Sequence, residues 1–255
     1  MSAAVTTSVP GGPGAAAAGA APPALEVRDL QAWYGESHVL HGVDLTVHRG
    51  EVVTLLGRNG AGRTSTLKAV MGLTDARRGS VRIHGTEAIG LPSRRIAHLG
   101  IGYCPEERGI FASLSTEENL MLPPVVSADG RGMSREQIHA LFPNLKGREA
   151  TQGTRLSGGE QQMLAIARIL RAGADLLLLD EISEGLAPVI VQALGRAIRA
   201  LKAQGRTIVM VEQNFRFAAP LSDRFYVIEH GRVVEAFAAA ELEGRAARLQ
   251  ALLGV

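Results

Sequence analysis

Gly57-Arg58-Asn59-Gly60-Ala61-Gly62-Arg63-Thr64-Ser65 is the stretch of this sequence that decides its fold. An apolar run at residues 52–56 precedes it and is typical of a buried strand, and residues 65–71 form a helical pattern that Gly72 closes. A glycine-rich turn between a strand and a helix brings backbone amides close to a ligand, because glycine has no Cβ atom. The amino-terminal end of the helix adds positive charge at the same place. The stretch therefore predicts a phosphate-binding loop, and the alternative is a glycine-rich turn without a ligand.

The side chains of this loop suggest how a nucleotide would be held. Thr64 offers a hydroxyl to a magnesium ion that bridges the phosphates. The position after Gly62 is normally lysine in such loops, and here it is Arg63. Arginine keeps the positive charge but is planar and larger, so the exchange puts catalysis, more than binding, in question. The candidate nucleotide-binding residues are Gly57, Arg58, Asn59, Gly60, Ala61, Gly62, Arg63, Thr64 and Ser65.

Length and composition limit the protein class. A chain of 255 residues with 46% hydrophobic and 20% charged residues suits one globular domain with a small inserted lobe. The net charge of +2 is too small to indicate a nucleic-acid partner, and we expect none. Cys104 is the only cysteine, which excludes a disulfide framework, fits a reducing compartment and predicts a packed core thiol. No apolar run is long enough to span a bilayer.

The amino-terminal part divides into a leader and a first set of strands. Residues 1–24 consist of small and turn-forming residues without charge, so we expect a disordered leader. Folding is predicted to start at Leu25, where residues 25–30 alternate like a strand, as residues 43–47 do again. Tyr34 fits two roles, a core aromatic residue or a platform that stacks on a flat base, and both stay open on the residues alone.

A polar loop and a helical insertion follow the strand predicted at residues 101–104. Glu106 lies in this loop, at a strand end where α/β proteins place functional groups, and the alternative is a charged surface loop. From Ser115, a cap followed by acidic residues predicts a helix start, and Ser134 begins a second helical pattern. Residues 113–150 are therefore predicted to form a small helical lobe inserted in an α/β core.

A second glycine-containing element precedes an amphipathic helical pattern. Ser157 can cap this helix, and Gly158 and Gly159 leave backbone amides bare at its positive end. This is a second place that can receive an anion. Two such elements in one chain suggest that one of them serves a neighbouring chain.

Acidic and polar residues follow two further buried strands. Asp180 and Glu181 end the apolar run at residues 174–179, and Gln213 follows the strand predicted at residues 207–211. Two carboxylates at a strand's carboxyl end are costly to bury without a purpose. One can hold magnesium through water, and the other can orient an attacking water molecule. The alternative is an acidic pair at a helix amino terminus.

This order of motifs resembles that of the ABC ATPases, the motor subunits of ABC transporters, from about Leu25 to the carboxyl terminus. The run Leu156-Ser157-Gly158-Gly159-Glu160 is similar to the signature of that family. The resemblance implies an α/β fold with a P-loop NTPase core, an antiparallel β subdomain and an α-helical subdomain inserted at about residues 113–150. It also implies ATP and Mg²⁺ as cofactors, and a head-to-tail pair in which Ser157 and Gly159 of one subunit contact the ATP held by the other.

The resemblance also assigns roles to single residues. It implies that Tyr34 stacks on adenine, that Asp180 holds magnesium and that Glu181 is the general base. Glu106 takes the place of the family's usual glutamine, and Gln213 takes the place of the usual histidine that contacts the γ-phosphate. Ile182 replaces a usual proline and, like Arg63, departs from the common pattern of the family.

Some segments resemble one branch of the family, the ATPases of branched-chain amino acid importers and their amide and urea relatives. The segments are Pro105-Glu106 with Arg108-Gly109-Ile110-Phe111, Gly185-Leu186-Ala187-Pro188, Val211-Glu212-Gln213-Asn214 and Leu252-Leu253-Gly254-Val255. The branch implies membrane permease subunits, a second ATPase subunit and, indirectly, a solute-binding protein as partners. The second ATPase is the same chain or a different one, and the branch favours a different one. The expected location is the cytoplasmic face of the cell membrane.

Two other functions are alternatives to a transport motor. Arg63, Ile182 and Gln213 would suit a nucleotide-binding regulatory subunit that hydrolyses ATP poorly. A soluble ABC-type ATPase acting on DNA or ribosomes is disfavoured, because the chain has one cassette, a small helical lobe and little net charge.

Overall fold

The computed structural model describes residues 21–126, 132–245 and 249. The strands are β1 (Leu25–Tyr34), β2 (Ser37–Val47), β3 (Val52–Leu56), β4 (Ala76–Ile83), β5 (Thr86–Glu87), β6 (Ile101–Cys104), β7 (Leu176–Asp180), β8 (Thr207–Val211), β9 (Arg224–Glu229) and β10 (Arg232–Ala238). The α-helices are α1 (Arg63–Val70), α2 (Ser93–Ala97), α3 (Thr116–Met121), α4 (Arg135–Leu141), α5 (Gly158–Ala172), α6 (Pro188–Ala203) and α7 (Phe215–Ala218).

The central sheet is mostly parallel and runs in the order β10-β9-β3-β8-β7-β6, with only β10 antiparallel to its neighbour. Strands β3, β7 and β8 are buried along their whole length. This burial explains their continuous apolar sequences, because helices or a second sheet cover both faces of such a sheet. The α/β core predicted from the apolar runs is confirmed.

The strand register brings the candidate functional loops to one edge of this sheet. Asp180 at the end of β7 lies opposite Val211 at the end of β8, which lies opposite Leu55 near the end of β3. Cys104 at the end of β6 pairs with Leu179. The carboxyl ends of neighbouring parallel strands meet at the edge where α/β proteins bind ligands. The glycine loop and the segments after β6, β7 and β8 therefore start side by side.

A second, antiparallel sheet in the order β2-β1-β4-β5 covers one face of the core. Its apolar side chains share one buried cluster with helix α1 and the central sheet, and Val27, Leu40 and Leu67 are examples. The β9–β10 turn joins the two parts, because the amide of Gly231 donates to the carbonyl of Ala61 and its carbonyl accepts from His41. The expected antiparallel β subdomain is thus present.

The helical lobe packs on the other face of the core. Ser115, Ser134 and Ser157 each form a capping box at the start of a helix, as expected for serine followed three residues later by glutamate or glutamine. Ile138 and Phe142 of the lobe are fully buried in the same cluster as apolar residues of α5 and α6. The lobe is therefore anchored to the helix that follows the Ser157 element.

The chain ends lie partly outside the described residues. Of the expected leader, residues 1–20 are outside them, whereas Ala24 is buried and its amide donates to the carbonyl of Val47. The Leu252–Val255 segment of the branch resemblance is also outside them, as are residues 127–131 of the lobe. No helix within the described ranges combines the length and apolar character needed to cross a membrane.

Candidate functional site

The glycine loop leaves the amino-terminal end of helix α1 open to a ligand. Gly62 occupies the N-cap position with a φ of 108°, and among the described residues no side chain caps the helix there. Helix amides without a partner at this position attract anions. At the base of the loop, a Cβ atom on Gly57 would collide with the carbonyl oxygen of Ile228, so only glycine lets the loop pass so close to β9.

A cavity of about 460 Å³ lies over this loop. It is lined by most of the sequence-predicted site residues, namely Asn59, Gly60, Ala61, Gly62, Arg63, Thr64, Ser65, Glu106, Glu181 and Gln213. Val39 and Glu184 also line it, and sequence reasoning did not single them out. The loops from four strand ends thus converge on one cavity, as the order of the motifs implied.

Other predicted residues, among them Arg58 and Tyr34, are not in the described lining of this cavity. Arg58 lines a neighbouring cavity of about 190 Å³ against the β9–β10 turn. Tyr34 is half-buried at the end of β1, opposite Ser37 on β2. Its stacking on adenine therefore stays a prediction.

Thr64 and Asp180, the two predicted metal-binding residues, are in direct contact. The Thr64 hydroxyl donates to Oδ1 of Asp180 at 2.9 Å, and the Tyr103 hydroxyl donates to Oδ2 at 2.8 Å. Asp180 is fully buried, and this burial raises the pKa of its carboxyl, against the two hydrogen bonds that favour its ionised form. A hydroxyl and a carboxylate are hard oxygen donors of the type that Mg²⁺ prefers, so the pair fits the ion. Tyr103 was missed, because a tyrosine in a strand pattern gives no sign of its partner.

Glu181 is held by donors from two other loops. Its Oε1 accepts from Nη2 of Arg63 at 3.0 Å, and its Oε2 accepts from Nε2 of Gln213 at 2.9 Å. Its backbone has a φ of 47°, an uncommon conformation for a non-glycine residue. Burial works to raise the pKa of Glu181, but hydrogen bonds from Glu184 and Gln213 and the charge of Arg63 lower it on balance. The carboxyl is therefore ionised at neutral pH and available to accept a proton.

Glu184 adds a second carboxyl beside Glu181. The two side chains are hydrogen-bonded, and this bond, together with burial, raises the pKa of Glu184 to about 7. Two carboxyl groups bond in this way only when one of them is protonated. Glu106 faces the pair, and one oxygen of each of these carboxyls lies within 4.8 Å of the others. The available sign in the sequence was that Glu184 is a second acidic residue, three positions after Glu181.

Glu212 fixes the segment that follows Glu181. This side chain is only 2% exposed and accepts from the amide and the hydroxyl of Ser183 at 3.1 and 2.7 Å. Burial raises the pKa of the Glu212 carboxyl to about 7. The sequence indicated Glu212 only as part of the Val211-Glu212-Gln213-Asn214 segment of the branch resemblance and assigned it no function, whereas its contacts brace the turn that carries the candidate base.

Ser157, Gly158 and Gly159 are not among the described residues that line the cavity over the glycine loop. The Ser157 hydroxyl accepts from the amide of Glu160 at 3.3 Å, so its own hydrogen can still be donated to an anion. A Cβ atom on Gly159 would lie 2.6 Å from Ile190 of α6, which makes this glycine necessary for helix packing as well. Gly158 lies beside the guanidinium of Arg108, which donates to Gln161. Among the described residues, the cavity over the glycine loop is therefore lined without the Ser157 element of the same chain.

Comparisons with known proteins give one consistent result. Residues 40–184 match the family model described as ABC transporter. The chain is 43% identical to the high-affinity branched-chain amino acid transport ATP-binding protein BraG of Pseudomonas aeruginosa, over 82% of this chain and 91% of that protein. It is 33% identical to the lipopolysaccharide export system ATP-binding protein LptB of Escherichia coli, over 82% and 88%. A solved ATP-binding subunit of an ABC transporter superposes with a TM-score of 0.75 at 27% identity, over 91% and 99%.

The motif-based prediction of the family is confirmed by these matches, and the arrangement of the two sheets and the helical lobe agrees with the fold of the solved subunit. The chain therefore belongs to the ABC transporter family, as an ATP-binding subunit of a transporter with ATPase activity.

Proposed function

We propose that this chain is the ATP-hydrolysing motor subunit of an importer for branched-chain amino acids or related small solutes, which cross the membrane through a separate permease. The proposed solute class is supported by the similarity to BraG, which extends over most of both chains at 43% identity. Lipopolysaccharide export is the second candidate, supported by the 33% identity to LptB. The higher identity favours import.

In the proposed reaction, the amides of the glycine loop bind the phosphates of ATP. Thr64 and Asp180 are the residues that would hold Mg²⁺, which would supply positive charge to offset the charge of the phosphates. Glu181 orients a water molecule towards the γ-phosphate and accepts its proton, and Gln213 contacts the same region. The Ser157 element of a second cassette completes the site. Binding of ATP thus closes the pair, and hydrolysis reopens it.

An apolar patch on the helical lobe is the proposed docking surface for the permease. We define it by apolar side chains close together in the chain: Phe111 in the loop before α3, and Met121, Leu122 and Val125 at and after the end of that helix, which are 43–53% exposed. Apolar side chains that cluster on a protein surface are typical of interaction sites. The patch follows the Glu106 loop in the chain, which would connect it to the nucleotide site. Through this contact the subunit would lie at the cytoplasmic face of the membrane.

Replacement of Leu122 by aspartate is expected to reduce co-purification with the permease at least about tenfold, because a charge in an apolar interface costs more than about 1.4 kcal/mol. ATP binding by the isolated subunit should stay unchanged. Val234→Asp is the matched control, since Val234 is 44% exposed on β10, outside the patch. Undiminished co-purification of the Leu122 variant would contradict the docking surface.

The solute class is tested by uptake of radiolabelled leucine in cells that lack the gene. We expect uptake to return when the wild-type gene is restored and to stay absent with a variant that cannot hydrolyse ATP. Leucine uptake that does not depend on the gene would refute import of branched-chain amino acids. Loss of lipopolysaccharide from the cell surface would instead favour export.

A regulatory subunit of low hydrolytic rate is the remaining candidate. The observation that favours it is the ion pair between Arg63 and Glu181, which engages both groups. ATP turnover in the assembled transporter, with permease and partner ATPase present, decides between the two. A normal rate with this cassette as the only active one excludes the regulatory function.

A further inference from the structure

Arg63 connects three of the loops that form the candidate site. Its Nη1 donates to the backbone carbonyl of Glu212 at 3.0 Å, after β8. Its Nη2 donates to Oε1 of Glu181 at 3.0 Å and to Oδ1 of Asn59 at 3.3 Å, in the segments after β7 and β3. One side chain thus joins the ends of three adjacent strands.

These contacts are shielded from water. The side chains of Arg63 and Glu181 are 4% and 9% exposed. An ion pair at this depth is less screened than one at the surface, and its geometry is more strictly maintained. Burial lowers the pKa of Arg63, whereas the charge of Glu181 is the largest influence that raises it. Arginine stays protonated in proteins, so the pair remains charged.

The contacts require the shape of arginine. A guanidinium presents donors from two separate nitrogens in a rigid plane, so Nη1 and Nη2 bind acceptors on different loops at the same time. Lysine has a single nitrogen on a flexible stem. Arginine in place of the usual lysine therefore connects the glycine loop to the segments after β7 and β8 at the same time, which lysine cannot do.

Glu181 depends on a fixed cation for its orientation, because its backbone conformation is uncommon and its neighbours are carboxyl groups. Its backbone lies at a φ of 47°, and besides Arg63 its described hydrogen-bond partners are the amide of Gln213 and the Glu184 carboxyl. Its neighbours Glu106 and Glu184 are carboxyl groups that would repel it when ionised. A fixed cation at Oε1 offsets this repulsion and sets the orientation of the carboxylate.

We propose that Arg63 is a positioning residue for hydrolysis, which holds the Glu181 carboxylate in its working orientation and ties it to the glycine loop. The inference rests on the proposed role of Glu181 as the base. It assigns to Arg63 an effect on the rate of the reaction that is separate from attraction of the phosphates. We therefore expect Arg63→Lys to lower the rate of hydrolysis in this protein, although lysine is the usual residue of such loops.

The test is Arg63→Lys in the full-length chain, with kcat and KM for ATP measured in the wild-type and Glu181→Gln backgrounds. We expect kcat to fall about tenfold or more, because misplaced catalytic groups lose rate steeply, with KM changed less than about twofold. In the Glu181→Gln background the same exchange should leave the residual rate unchanged, since residues that act through one another are not additive. Arg94→Lys, on helix α2, is the matched control and should behave as wild type.

Three results would overturn the inference. A raised KM with an unchanged kcat would make Arg63 a phosphate ligand only. An equal loss of rate in both backgrounds would show that Arg63 does not act through Glu181. A wild-type rate in Glu181→Gln alone would refute both the base and the inference, whereas the first two results refute the inference only.

A second variant covers the case in which Arg63→Lys does not fold. Arg63→Ala removes the guanidinium, and millimolar guanidinium ion added to the assay can occupy the space. We expect this ion to restore kcat at least about threefold when Glu181 is present and to have no effect with Glu181→Gln. Absence of rescue in a folded Arg63→Ala protein, judged by its thermal unfolding, counts against the inference.

Discussion

Glu181→Gln is expected to reduce ATP hydrolysis by about 10²–10⁴-fold, which is the usual contribution of a positioned general base. Glutamine keeps the size of the side chain but cannot accept the proton of the attacking water. Its amide oxygen can still accept from Arg63 or Gln213, so the loop keeps much of its support. ATP binding should therefore persist, and the variant should accumulate the ATP-bound state. Steady-state phosphate release and an ATP-binding titration measure the two effects separately.

Glu184→Gln is the matched control for this variant. The residue lies three positions later, lines the same cavity and is hydrogen-bonded to Glu181. Its glutamine variant can still donate to Glu181, so we expect a loss of rate below about tenfold. An unchanged rate in Glu181→Gln, or an equally large loss in both variants, would contradict the assignment of the base to Glu181 alone.

Asp180→Asn is expected to have the second-largest effect, a loss of hydrolysis of about 10²–10³-fold that excess Mg²⁺ only partly restores. The substitution removes the negative charge of a fully buried carboxyl and leaves its shape in place. Loss of a metal ligand costs several kcal/mol of charge stabilisation in the transition state. The Mg²⁺ concentration that gives half-maximal hydrolysis should rise. A magnesium titration of the rate measures this shift.

Tyr103→Phe separates loss of the metal ligand from loss of a hydrogen bond. It removes the hydroxyl that donates to Oδ2 of Asp180 and keeps the carboxylate. We expect a shift in its magnesium dependence of about tenfold, smaller than that of Asp180→Asn, because a hydrogen bond to an ionised carboxylate contributes about 1.5–3 kcal/mol whereas the carboxylate itself remains. A wild-type magnesium dependence in Asp180→Asn would show that the metal is held elsewhere.

Much of the fold and the position of the site could be predicted from local sequence patterns. The continuous apolar runs of β7 and β8 are typical of strands that are covered on both faces. Such a run predicts a buried strand whichever face each residue points to. Ser115, Ser134 and Ser157 predicted helix starts because a capping box depends only on two residues three positions apart. Functional groups at the carboxyl ends of buried strands followed from the geometry of parallel sheets.

The connections inside the site could not be predicted in this way. Arg63 and Glu181 are 118 positions apart, and nothing in either segment indicates that they form an ion pair. The contact of Glu212 with Ser183 spans 29 positions and depends on how two loops pack after their strands end. The sequence predicted an anion-binding role for Gly159, whereas its closeness to Ile190 arises from packing of α5 on α6. Tertiary contacts decide these features, and a single sequence does not record them.

A calorimetric titration with ATP and Mg²⁺ measures whether the amides of the glycine loop at residues 57–65 bind the triphosphate. Gly60 suits the comparison, because it has a φ of 77° and no heavy atom within 4 Å of an added Cβ, and asparagine and aspartate both tolerate such a φ. We predict saturable binding of one ATP per wild-type chain, weakened binding in Gly60→Asn, and none in Gly60→Asp, whose charge repels phosphate. Absence of binding in the wild type, or equal binding in the Asn and Asp variants, would show that the amides of this loop do not hold the triphosphate.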